Sequence, residues 1–288
     1  MKIGIHTGAW SNSWSNEKLY IIDECKEVGL DFIEFPLTDL SHFDPLNVKS
    51  RCEGAIEVTC STVIPKVEWD IGADDPICRK NGIAFLKRCV DMTRLAGGSV
   101  FSGMCYVLAR KNHLCGPAPE REWVYCAAAI KEVAQYAGDK GITIGIEPTG
   151  RYHNHLLNTA AQALQFYDMV GEPNVIIHLD SYHMCYEERH FYDAIKSTRG
   201  KLGYFHMNGN DRGRPGDDDL IDWDAVFRIF VQIKFDGYIG FEGFGTTSPH
   251  IYRDVIGVPK EFARESMKFV LKMMHRYGLK KSNDIALS

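Results

Sequence analysis

The sequence predicts a closed parallel α/β barrel of the (β/α)8 kind, a TIM barrel, and three observations support this. Short apolar runs alternate eight times along the 288 residues with longer amphipathic ones. The apolar runs are too continuous for strands with one wet face, so both faces are expected to be buried, as in parallel sheets covered by helices. Four of the later runs close on a carboxylate or an imidazole: Glu147 after ITIGI, Asp180 after VIIHL, His206 after GYF and Glu242 after YIGF. A polar group closing an apolar strand has little packing reason to be there. In a parallel barrel the carboxyl ends of all strands open on one face, where four such groups can surround a single point.

The elements follow in order. KIGIH (2–6) is the first strand, and an amphipathic stretch from about Asn16 to Val28 is stopped by Gly29. DFIEF (31–35) is the second strand, closed by Pro36, and IEVTCST (56–62) and SVFSGMCY (99–106) are the third and fourth. Between the last two, Ile83, Leu86, Val90 and Thr93 recur at helical spacing. A helix over about 120–140 leads to ITIGIE (142–147), and one near 159–170 to VIIHLD (175–180). One near 190–198 precedes LGYFH (202–206), one near 223–234 precedes YIGFE (238–242), and a terminal helix spans about 260–277. No G-x-G-x-x-G turn follows the first strand, which removes the main support for a dinucleotide-binding open sheet. One barrel of about 250 residues accounts for the length, so residues 1–288 are read as a single domain. Two long connections, Val63–Asp75 and Val107–Pro119, leave the third and fourth strands and are expected over the ligand-bearing face.

Composition narrows the function. A formal net charge of -5 lacks the basic stripe of a general nucleic-acid binder. No run approaches the roughly 18 apolar residues of a membrane span, and no charged leader or apolar signal core precedes the first strand; a soluble, cytoplasmic protein is expected. The nine cysteines are odd in number and contain no C-x-x-C pair, so they read as reduced thiols filling the core.

Three carboxylates and one imidazole form an oxygen-rich ligand set that suits manganese, magnesium or cobalt better than a structural zinc. Singly, each is as readily a salt-bridged strand end; their fall on four successive strands favours a shared metal. Around them, His183 lies three positions after Asp180, where the chain turns, and Arg212 lies in the Gly-rich HMNGNDRGRPG. Arg151, His153 and His155 crowd behind Glu147, one of the histidines being expected as a hydrogen-bonding support. His6, Trp10 and Trp14 follow the first strand and read either as packing or as an apolar wall against a sugar face.

These residues carry a resemblance. The chain resembles the xylose-isomerase-like barrel superfamily, and within it the D-tagatose 3-epimerase and D-allulose (D-psicose) 3-epimerase family of ketose 3-epimerases. The likeness runs through MKIG, the Trp14 loop, EF-P after the second strand, E-x-x-x-RY-x-NH-x-LNT from Glu147, HLD-x-YHM around Asp180, the His206 and Arg212 pair, and E-x-F at Glu242 and Phe244. It implies that Glu147, Asp180, His206 and Glu242 hold one divalent ion per subunit, that His183 and Arg212 contact the sugar near its carbonyl oxygen, that His6, Trp14, His153 and Phe244 are further substrate contacts, and that the subunits form dimers or tetramers. One departure stands out: the family places a substrate-contacting glutamate where this chain has His153, which bears on substrate identity. Epimerisation at C3 needs a proton removed beside a carbonyl and one returned to the opposite face, work for two carboxylates, Glu147 and Glu242, on either side of the sugar. Three alternatives differ in readout: an aldose–ketose or hydroxypyruvate-type isomerase exchanges hydrogen at C1, a lyase acting on 3-oxo-glycosides releases an aglycone, and a non-catalytic module binds sugar without turnover. A three-zinc nuclease needs more histidine ligands and a basic surface.

Overall fold

The computed structural model describes residues 1–111, 116–216, 218–246, 248 and 253–282. Eight strands, β1 (Lys2–His6), β2 (Phe32–Pro36), β3 (Glu57–Ser61), β4 (Val100–Ser102), β5 (Thr143–Ile146), β6 (Val175–Asp180), β7 (Leu202–His206) and β8 (Tyr238–Phe241), pair in parallel in sequence order. β1 also pairs with β8, Ile3 opposite Ile239, and the barrel closes as predicted. The helices are α1 (Tyr20–Val28), α2 (Pro45–Cys52), α3 (Pro76–Leu95), α4 (Glu120–Gly138), α5 (Ala160–Val170), α6 (Ser181–Glu187), α7 (Phe191–Ser197), α8 (Trp223–Ile233) and α9 (Pro259–Arg276). Local chemistry sets their ends. Asp44, Asp75, Thr159, Asp180 and Asp222 accept from backbone N–H groups of the first turns, and Thr159 forms a reciprocal capping box with Gln162. α1 stops at Gly29, whose φ of 86° is the left-handed conformation that glycine adopts without strain.

The structure departs from the sequence expectation in four places. α2 was not expected: it is two turns long and buries only Val48 and Cys52, too little to show a period. β4 is three residues long because Gly103, at φ 101°, turns the chain after Ser102. Where a plain turn was expected after Asp180, α6 begins at once. The first long connection folds back on α3, with Trp69 stacked on Phe85 at 4.3 Å between centroids, so only its first residues reach the ligand face. Of the second, residues 112–115 lie outside the described residues, as does Cys115; the other eight cysteines are free thiols, as expected.

Each strand is buried on both sides. Outward side chains such as Ile5, Phe35, Phe101, Ile146, Leu179 and Phe241 form the core between barrel and helices. Inside, the barrel is layered. At the amino end Phe32, Val100 and Tyr204 pack with Ile176 and Tyr238 into an apolar plug. Above it comes a buried polar layer of Glu34, Thr59, Ser102, His178 and His206. Gly240 makes room in that layer, since a Cβ there would lie 2.9 Å from Cδ2 of His206.

One buried ion cluster ties the connections above the barrel together. Lys111 Nζ lies 2.6 Å from Asp70 Oδ2 and 2.7 Å from Glu122 Oε1, and Glu122 Oε1 lies 3.0 Å from His155 Nε2. His155 is thus a support between loops, outside the ligand set. Replacing the cation while both carboxylates stay buried leaves them uncompensated, so Lys111→Met is expected to lower stability by about 3–5 kcal/mol, read from the urea unfolding midpoint.

Candidate active site

The ends of β5, β6, β7 and β8 bring Glu147, Asp180, His206 and Glu242 together, each offering one ligand atom within 4.8 Å of the others. His206 Nδ1 lies 3.6 Å from Glu147 Oε1 and 3.6 Å from Glu242 Oε2. Backbone and side-chain bonds hold the set. Asp180 caps α6 by accepting from Tyr182 N at 2.8 Å. Asn208 joins two members, its Oδ1 accepting from Glu242 N at 2.8 Å and its Nδ2 reaching Asp180 Oδ1 at 3.3 Å.

Arg212 enters from the loop after β7 with a φ of 70°, a left-handed conformation costly for a side-chain-bearing residue. Its Nη1 donates to Asp180 Oδ2 and Glu242 Oε2, both at 2.5 Å, and its Nη2 lies 3.1 Å from His183 Nε2. The guanidinium also lies over the rings of Tyr182, at 4.3 Å, and Phe244, at 5.3 Å. His183 is seated on α6 with Nδ1 2.8 Å from the Tyr186 hydroxyl. His6 is fixed by accepting from Gly8 N at 2.9 Å, and its ring meets Phe244 edge-on at 5.7 Å.

The two glutamates differ in their hold on a proton. Burial, with the charge of Glu242 adding to it, pushes the Glu147 carboxyl up to about 7. At Glu242 burial acts in the same direction, but the Arg212 guanidinium and then His206 outweigh it, and the carboxyl lies below its ordinary range. Burial next to Arg212 and His153 holds His183 well below the usual imidazole value, hence neutral.

The set opens into a cavity of about 260 Å³. His6, Glu147, His153, His183, Arg212, Glu242 and Phe244 line it, with Pro36, Thr38, Ser61, Val63 and Met104 on the opposite wall. The His153 ring stands edge-on to His183 at 5.2 Å. Trp14 is a correction: it does not line this cavity but packs edge-on against Phe35 at 4.6 Å, because the chain after β1 turns it into the core between barrel and helices. Arg151 turns outward to pair with Glu187 at 2.9 Å. The sequence reading passed over Glu34, His178 and Asn208. Glu34 Oε2 lies 3.0 Å from His206 Nε2, and His178 forms a second possible ligand set with Glu147 and His206. The signal for two of them was present: Glu34 is a carboxylate inside the apolar DFIEF, and His178 shares the face of Asp180 two residues on.

An eight-stranded barrel with three carboxylates and an imidazole gathered at the carboxyl ends of its strands is the setting of a small-molecule enzyme, and the chain is similar to known sugar epimerases. The family model for the xylose isomerase-like TIM barrel matches residues 22–273. A ketose 3-epimerase of Arthrobacter globiformis is 33% identical over 249 residues, covering 86% of this chain and 85% of that one. An L-ribulose 3-epimerase of Mesorhizobium japonicum is 33% identical over 248 residues, covering 85% and 82%. The crystal structure of the D-allulose 3-epimerase from Methylomonas sp. in complex with D-allulose superposes with a TM-score of 0.89 at 28% identity, covering 95% of this chain and 97% of that one. The chain belongs to the xylose isomerase-like TIM barrel family, and within it to the ketose 3-epimerases.

The donor set fits a divalent cation. Glu147 Oε1 and His206 Nδ1 are buried, point into the tetrad and make no hydrogen bond. Metal uptake must displace the proton that Glu147 carries below about pH 7. Manganese affinity, measured by calorimetry on metal-stripped protein, is therefore expected to fall about tenfold or more per pH unit as pH drops below that point.

Proposed function

We propose that the protein is a metal-dependent ketose 3-epimerase acting on free ketoses, interconverting pairs of the D-fructose/D-allulose, D-tagatose/D-sorbose or L-ribulose/L-xylulose type through a cis-enediolate. The observation that carries this reading is the pair Glu147 and Glu242, two carboxylates from different strand ends lining one cavity together with Arg212 and His183. A divalent ion, manganese before magnesium or cobalt, would be held by Glu147, Asp180, His206 and Glu242 and would supply Lewis acidity to the bound sugar.

The remaining work falls to the side chains. Glu147 and Glu242 flank C3: one, ionised, removes its proton from one face, and the other, having taken a proton from solvent, delivers it to the opposite face; the roles reverse with the direction of reaction. Arg212 and neutral His183 place donors and positive potential beside the C2 oxygen, where negative charge develops. His6 and Phe244 form the wall along the sugar, and His153 at the mouth meets its far end. Among the described residues lining the cavity the only permanent cation is Arg212, already engaged by Asp180 and Glu242, which favours a free ketose over a phosphorylated one. Within the described residues no helix is long and apolar enough to cross a membrane. In our reading the whole chain is one catalytic unit, cytoplasmic, and assembles as a dimer or tetramer.

Incubation of the metal-loaded protein with D-fructose, D-tagatose or L-ribulose in D2O, followed by NMR, is expected to show deuterium at C3 together with the epimeric ketose. Glu147→Gln and Glu242→Gln should each lower kcat by about 10²–10⁴-fold. Exchange at C1 without C3, or none with any of the sugars, would sink the assignment. His153→Ala is expected to leave C3 chemistry in place and to change the ranking of the three ketoses in kcat/KM, measured in parallel.

A further inference from the structure

We infer that Glu34 is a positioning residue of the metal centre: its hydrogen bond to Nε2 of His206 holds that ring with Nδ1 turned toward Glu147 and Glu242. The inference rests on the reading of those residues as ligands. Glu34 comes from β2, which contributes nothing to the ligand tetrad, and is only 1% exposed. Its Oε2 accepts from His206 Nε2 at 3.0 Å and from the Tyr204 hydroxyl at 2.5 Å, and that hydroxyl lies 3.3 Å from Thr59 Oγ1. A carboxylate in the middle of a barrel, with its other oxygen buried and unpartnered, is not there for packing.

Both nitrogens of His206 face carboxylates, but only Nε2 lies within hydrogen-bond distance of one, Glu34 at 3.0 Å, whereas Nδ1 lies 3.6 Å from Glu147 and Glu242; a proton held on Nε2 by Glu34 leaves Nδ1 as the electron-pair donor toward a bound ion. Sterics already limit the ring. Gly240 lies against its Cδ2 edge, and the His178 ring meets it at 4.2 Å and 80°. These contacts fix where the ring lies but are indifferent to which nitrogen is protonated. Glu34 decides that, and Tyr204 fixes Glu34.

Calorimetric titration of metal-stripped full-length protein with manganese chloride tests this. The dissociation constant is expected to rise about 10–100-fold in Glu34→Gln, which keeps the shape and removes the charge. The visible spectrum of the cobalt-loaded variant should shift as the coordination loosens, a change that a purely structural role would not produce. A folded variant with affinity within twofold of the parent and an unchanged cobalt spectrum overturns the inference. The unmutated protein provides a test that survives a failure of the variant to fold: in its magnesium-loaded form, 15N–1H correlation is expected to show His206 as the Nε2–H tautomer, and the Nδ1–H tautomer overturns the inference. A parent that takes up neither manganese nor cobalt removes the ligand reading itself, and this inference with it.

Discussion

Four carboxylates, those of Glu34, Glu147, Asp180 and Glu242, are held largely out of water within the upper half of one barrel, and the architecture around them answers the cost of doing so. An isolated ionised carboxylate in such a place is unfavourable by several kcal/mol even after relaxation. Each is therefore matched. His206 faces Glu34, Glu147 and Glu242; Arg212 bridges Asp180 and Glu242; Asn208 and the first turn of α6 donate to what remains. The matching is incomplete by one cation. Glu147 keeps a raised proton affinity, and Glu147 Oε1 and His206 Nδ1 have no hydrogen-bond partner. A site short of one cation and rich in hard oxygen donors has the chemistry to select a divalent ion.

The same constraint explains the layering. An apolar plug of Phe32, Val100 and Tyr204 closes the amino end of the barrel, so polar groups above it have no water beneath them. Tyr204 belongs to both layers: its ring packs in the plug and its hydroxyl reaches Glu34. Rigidity of the floor passes upward through these bonds to His206 and the groups clustered around it. The connecting loops are tied down separately, by Lys111 between Asp70 and Glu122 and by the backbone bond from Arg110 N to the carbonyl of His153. His153, which lines the cavity, therefore lies on a braced loop rather than on the barrel wall.

The barrel was legible because continuous apolar runs and helical periods are local properties of the chain, and the four residues that cluster at its carboxyl end were legible because each breaks an apolar run at its end. α2 was missed because two turns with two buried residues carry no readable period. Trp14 was misplaced for a different reason: an aromatic after a strand is equally compatible with a sugar wall and with core packing, and only its contact with Phe35 shows which. Glu34 and His178 interrupt their apolar strands and were readable as inward-facing polar groups; what the sequence could not give is their partner, since the contact with His206 depends on the register of the whole barrel.

The sequence by itself determined the (β/α)8 pattern and the three carboxylates and one imidazole that close four successive strands. Tertiary structure alone decided that the tetrad closes to within 4.8 Å, that Arg212 inserts between two of its members, and that Glu34 on β2 reaches His206 on β7. The physical reason is sequence distance. Glu34 and His206 are 172 residues apart, and their contact exists only because barrel closure carries β2 and β7 to opposite sides of one interior, a relation that no local pattern along the chain encodes.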